Sequence, residues 1–174
     1  DGRSVGVRGG DGRLHMLLAA KDNFLVREWL AADADARTAS DPSLAVGVSC
    51  DDGGCVTQMA GGGIVALALR PEALADDCER AAVIVTARPG PQDCAATIID
   101  SERLRRHGVL ALRRTSDGRM LVDPVRPTGV DRPWLPAMAG EGDGAEMTIR
   151  LPNTTTPSRS VDATPSDADL GGDD

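Results

Sequence analysis

Histidine and aromatic residues are nearly missing from this chain. Two His, one Phe, two Trp and no Tyr occur among 174 residues. A catalytic zinc or two-metal centre draws three or more ligands from motifs such as HExxH. With only His15 and His107, and no HxH, HxxE or HExxH spacing, such a centre has too few ligands, and no metal or cofactor is expected. The 2% aromatic content removes the stacking platforms that commonly hold single-stranded nucleic acid. It also leaves the core to Leu, Val, Ile, Ala and Met. Lys21 is the only lysine, so Arg carries the positive charge. No run of about 18 apolar residues occurs, so no membrane-spanning helix is expected, and no secretory leader is visible. Ser49, Ser101 and Ser116 lack a GxSxG setting. The glycine runs GGDG and GGG lack the GK[ST] that completes a phosphate loop, and both read as turns.

What is present suffices for one domain with a core, since 41% of residues are apolar. The net charge of −8 is unevenly spread. Residues 1–100 carry a net of −6, residues 101–132 carry 8 Arg against 4 acids, and residues 141–174 carry a net of −6. An overall acidic chain does not favour nucleic acid, but the Arg-rich segment allows a local basic face.

Periodicity and punctuation predict an ordered series of elements. SVGVR, GGDG and RLHMLLA read as a hairpin. Asp22 caps a helix through about Ala32, with Leu25/Trp29 and Val26/Leu30 forming its apolar stripe. Asp33 and Asp35 are spaced like calcium-loop ligands, but the glycine and closing Glu are missing, so a solvated loop is expected. LAVGVSC and CVTQMA read as strands around a DDGG turn. IVALAL and AAVIVTA are continuous apolar runs, the pattern of strands covered on both faces. A helix starting at Pro71 lies between them. A short strand is expected over 95–99, then a helix SERLRRH capped by Asp100 or Ser101 and stopped by Gly108. VLALRR and RMLVDPV follow as strands. The mixture predicts an α/β sheet layered with helices. Residues 1–140 form the expected domain. Residues 141–174 read as an acidic Pro/Ser/Thr/Asp-rich tail, largely disordered, in which MTIRL is one candidate edge strand. His15 falls on a predicted strand. His107, at a helix C-terminus, is placed where a charged imidazole gains from the helix dipole.

Two residue groups could carry function. Cys50 and Cys55 flank a turn, where they can face each other across a hairpin. Cys78 lies on a helix beside the strand that leads to Cys94. Neither spacing is the CxxC of zinc or redox sites. Two disulfides fit best; free buried thiols and a four-cysteine zinc site are the alternatives. Chain entropy assigns roughly 2 kcal/mol to the shorter loop and about 3 kcal/mol to the longer, and disulfides imply an oxidising compartment such as the periplasm. The second group is Arg103, Arg105 and Arg106 on one helix with Arg113 and Arg114 on the next strand. Arg suits phosphate contact; a salt-bridged solvated face is the alternative.

The phrases DGRSVGVRGGDGRL, EWLAADADAR, CDDGGCV, DCERAAVIVT and CAATIIDSERLRRHGVLALR together resemble the C-terminal region of alphaproteobacterial ComEC family competence proteins, over roughly residues 2–135. These are inner-membrane proteins implicated in carrying single-stranded DNA into the cell during natural transformation. The resemblance implies a metallo-β-lactamase-like sandwich, with a mixed sheet and flanking helices, on the periplasmic side. It implies three partners: incoming DNA, the transmembrane channel portion of the same protein, and other competence proteins. Family members with an intact HxHxDH motif are proposed to degrade one DNA strand. Here residues 19–49 contain no histidine, Leu69 and Arg70 stand where a Gly-Asp pair is usual, and Arg88 to Gln92 supply no histidine pair. The resemblance therefore implies a degenerate, non-catalytic version. A metal-dependent nuclease with atypical ligands and a zinc-held interaction module are the alternatives.

Overall fold

A computed structural model describes residues 2–117 and 119–125 and the backbone of Met147–Ile149. The predicted hairpin forms as β1 (Ser4–Arg8) and β2 (Leu14–Leu18), antiparallel, with Val7 opposite His15. Helix α1 (Asn23–Ala32) follows. The Asp22 carboxylate accepts from the Leu25 amide at 3.0 Å, satisfying one of the donors a helix start leaves open. Val26 and Leu30 are its buried pair, set against Met16 and Leu44.

The expected strand over LAVGVSC is mostly absent. Pro42–Ala45 forms a 3₁₀ turn, and only Ser49–Cys50 is strand, β3. The cause is local: the Asp41 side chain accepts from the Ser43 amide at 2.9 Å, Pro42 presets the turn, and Gly47 at φ +73° interrupts extension. β4 (Gly54–Gln58) returns antiparallel to β3, with Cys55 opposite Cys50.

β5 (Ile64–Ala68), α2 (Pro71–Arg80), β6 (Val83–Thr86) and β7 (Thr97–Ile99) complete a five-stranded mixed sheet in the order β3-β4-β5-β6-β7. β5, β6 and β7 run parallel; β3, β4 and β5 alternate. The apolar runs of β5 and β6 are explained by their two covered faces. Ala66, Ala68 and Ile84 pack with Leu74 of α2, where the small alanines let the helix approach. Val65, Leu67, Val83 and Val85 face the other way, toward Val7, Leu17 and Ile99. Leu67 and Ile84 are both 0% exposed.

The chain then runs through α3 (Ser101–His107), capped by Asp100 rather than Ser101, to β8 (Leu110–Arg114) and β9 (Met120–Pro124). Gly108 ends α3 at φ +74°, the left-handed geometry that Gly adopts without strain. β10 (Met147–Ile149), within the segment expected to be tail, pairs with β9 at the edge of a three-stranded sheet β10-β9-β8. The remainder of the expected tail lies outside the described residues.

The result is layered. α2 covers one face of the five-stranded sheet. Over the other face lie the β1–β2 hairpin and β8, whose Val5, Val7, Leu110 and Leu112 pack on one core cluster. α1 covers the outer side of the hairpin. The fold is mixed α/β, and among the described residues no helix is long and apolar enough to cross a membrane.

Candidate functional site

The four cysteines close as predicted. Cys50 bonds Cys55 across the β3–β4 hairpin, and Cys78 of α2 bonds Cys94 in the loop before β7. No free cysteine remains, so the four sulfurs do not form a zinc site. The second bridge has a clear structural role. Parallel strands need a crossover connection, normally a helix. The β6–β7 connection, residues 87–96, has no helix. Its attachment to α2 through Cys94 holds that loop where a helix would otherwise sit. Two disulfides suggest an oxidising, extracytoplasmic environment.

The five arginines divide by what they touch. Arg103 of α3 turns back onto β7, its Nη1 donating to the Ile98 carbonyl at 2.9 Å. The Arg114 guanidinium donates to the Gly61 and Gly62 carbonyls at 2.6 and 2.7 Å. Gly61, Gly62 and Gly63 all have φ between +77° and +93°, so this turn is open only to glycine, and its carbonyls are presented to Arg114. These two arginines join elements together. Arg105, Arg106 and Arg113 are exposed. Arg106 pairs with Glu102 at 2.7 Å, one helical turn away, and Arg113 lies 3.5 Å from Asp123 with 71% of its side chain exposed. Exposed pairs of this kind contribute little and exchange easily for a phosphate.

α3 owes its position to Asp100. One carboxylate oxygen accepts from the Arg103 amide at 2.8 Å, and the other accepts from the Gly90 amide at 3.4 Å, linking the helix start to the loop after β6. The expected gain of a charged His107 from the helix dipole is outweighed. Burial lowers its pKa, and the nearby Arg106 and Arg103 add to the effect. His15 is buried on β2; its Nε2 lies 3.0 Å from Asp11 Oδ1, and its Nδ1 has no hydrogen-bond partner among the described residues. It fixes the GGDG turn, as a structural histidine.

Open α/β sheets bind ligands beyond the carboxyl ends of their parallel strands. Here those ends carry Leu69 and Arg70 after β5, and the Arg88–Gln92 stretch after β6. Among the described residues, no three His, Cys, Asp or Glu side chains converge on a common point. The chain matches no known protein family, no curated protein and no solved structure.

Two features escaped the sequence reading. The Asp33–Asp35 loop is not freely solvated. Arg37, whose side chain is 6% exposed, grips Asp35 at 2.6 Å and also donates to the Leu14 carbonyl and the Ser43 hydroxyl. The guanidinium beside Asp35 holds its pKa down at about 2. The Asp-x-Arg spacing was the available signal. The other feature is a cleft of about 840 Å³ between β1, β8 and the five-stranded sheet. Val65, Val83, Val85 and Ile99 form its floor, and Arg8, Asp33 and Arg114 stand at its rim. Its two long walls lie about a hundred residues apart in the chain, so no local pattern announces it.

Proposed function

We propose that this chain is a non-catalytic, extracytoplasmic domain of a ComEC-type membrane DNA-uptake channel, a degenerate metallo-β-lactamase-like sandwich on the periplasmic side of the inner membrane. The observation that carries the reading is the pair of disulfides, which suits a domain exported from the cytoplasm. The resemblance of residues 2–135 to that family supports it, as does the stacking of two β layers with α2 outside one and α1 outside the hairpin of the other. Its role is structural or DNA-guiding, and its partners are the transmembrane portion of the same protein, incoming single-stranded DNA and other competence proteins. Arg105, Arg106 and Arg113 are the proposed phosphate contacts: all three residues are exposed, and the carboxylate partners of Arg106 and Arg113 are exposed as well. Arg103 and Arg114, which bond backbone carbonyls, support the elements that carry them.

Fluorescence anisotropy with a labelled oligothymidine tests this. Three phosphate contacts on a single strand contribute about 2 to the slope of log affinity against log salt. The triple variant Arg105→Glu, Arg106→Glu, Arg113→Glu is expected to bind at least about tenfold more weakly at low salt and to lose that slope. Unchanged affinity and slope would remove DNA guiding from the proposal. Cleavage of the oligonucleotide stimulated by manganese would replace it with the hydrolase alternative.

A further inference from the structure

The layer above the five-stranded sheet is interrupted. On one side of the cleft lies β1, which among the described residues pairs only with β2; on the other lies β8, which among them pairs only with β9. Both strands are therefore edges, and both line the same cleft along their whole five-residue length.

The hydrogen-bond phase shows which groups face the gap. In the hairpin, Gly9 bonds Arg13 and Ala19 bonds Arg3, so the odd-numbered residues of β1 exchange bonds with β2. Ser4, Gly6 and Arg8 then point their amides and carbonyls outward. In the other sheet, Val125 bonds Val109 and Thr115 bonds Arg119, which leaves Leu110, Leu112 and Arg114 pointing outward from β8. Of these outward groups only the Arg8 carbonyl has a backbone partner among the described residues, the Ala60 amide at 3.0 Å.

The two edges run in the same direction. Arg8 at the end of β1 bonds Ala60, and Arg114 at the end of β8 bonds Gly61 and Gly62, so both carboxyl ends meet one turn. The side chains agree: Val5 and Val7 of β1, and Leu110 and Leu112 of β8, face the same core cluster. The gap is thus bordered by two parallel, unpaired edges above an apolar floor. The cleft, about 840 Å³, is also lined by Leu25, Trp29 and Ala32 of α1 and by Leu104 of α3.

We propose that the cleft accepts an extended strand from another polypeptide, which pairs with β1 on one side and β8 on the other and joins the two sheets into one. This is strand addition, in which backbone bonds supply affinity and alternate side chains supply selectivity. The partner strand carries apolar residues at alternate positions, to pack beside the half-buried Val5, Leu110 and Leu112, which already cover most of the floor. At the end where Arg8 and Arg114 stand, both guanidiniums are already engaged, Arg8 by Asp33 and Arg114 by the Gly61 and Gly62 carbonyls, so selectivity there rests on backbone pairing. The inference does not depend on the DNA-uptake reading.

Amide hydrogen exchange of the full chain, followed by NMR, tests this with a synthetic heptapeptide, acetyl-Thr-Val-Thr-Val-Thr-Val-Asp. Without peptide, the inward amides of Val5, Val7, Ala111 and Arg113 are expected to be protected, which verifies that both sheets are folded. The outward amides of Gly6, Leu110 and Leu112 are expected to exchange freely. Peptide should slow the outward set at least tenfold. Methylating the valine nitrogens of the peptide should weaken binding at least tenfold, because the side chains remain while one row of donors is lost. Equal binding by the methylated peptide or by a composition-matched scramble would overturn the proposal, as would free exchange of the outward amides at millimolar peptide. Protection of those amides in peptide-free protein would also overturn it. Concentration-independent protection would assign the gap to the chain itself, and concentration-dependent protection to a second copy.

Discussion

The two β layers of this molecule are built on different terms. The five-stranded sheet has apolar packing on both faces, with Leu67 and Ile84 at 0% exposure, and both disulfides attach to it or to its helix. The layer above is made of two pieces, a hairpin and a three-stranded sheet, and their facing edges are unpaired among the described residues. One layer is a continuous sheet; the two pieces of the other are each tied to the β4–β5 turn below, β1 through the Ala60 amide on the Arg8 carbonyl and β8 through Arg114 on Gly61 and Gly62. Stability is therefore concentrated in the first layer and adaptability in the second.

The sharpest way to break this comparison is to truncate one leucine in each. Leu67→Ala removes a fully buried side chain and is expected to cost about 3–4 kcal/mol, whereas Leu112→Ala, half-buried beside the cleft, should cost about 1 kcal/mol. Denaturant midpoints of the two variants measure this, and equal losses would mean that the upper layer is as tightly packed as the lower. The bridges come next. Replacing Cys78 and Cys94 by Ser opens the longer loop and should cost about 3 kcal/mol, against about 2 kcal/mol for Cys50 and Cys55. The first variant should also increase proteolysis within residues 87–96, which the bridge holds against α2; an intact loop there would deny it that role.

The smallest effect is a pH dependence in the loop that ties α1 to β2. Arg37 lowers the Asp35 pKa from 3.8 to about 2, so the folded protein binds that proton less readily than the unfolded chain. The resulting stability is fully present above about pH 4 and disappears as pH falls through about 2. Asp35→Asn should lower the urea midpoint at neutral pH and converge with the unmodified protein near pH 2. A constant difference across that range would rule out the ion pair as its source.

Much of the lower sheet was legible because its signals are local. Apolar runs, Asp22 and Asp100 before helices, Pro71 at a helix start and Gly108 at a helix end each act within a few residues. The disulfides were legible for the same reason: Cys50 and Cys55 flank one turn. The strand expected over Leu44–Val48 failed where side-chain hydrogen bonding by Asp41 and the left-handed Gly47 overrode apolar alternation. The functional assignments of the arginines were the least legible. Arg114 and Arg113 are adjacent in sequence, yet one bonds carbonyls more than fifty residues away and the other stands in solvent. Only the tertiary arrangement separates them, and only it brings β1 opposite β8.

The bridges also pair in chain order, first cysteine with second and third with fourth, at separations of 5 and 16 residues. Four cysteines permit three pairings, and this is the one selected by sequential emergence. A chain leaving a translocation pore amino end first presents Cys55 to Cys50 before Cys78 appears. Once that bond closes, Cys94 is the remaining partner for Cys78. For a chain exported in that direction, correct connectivity would follow from the order of emergence, since all four cysteines precede α3, β8 and β9.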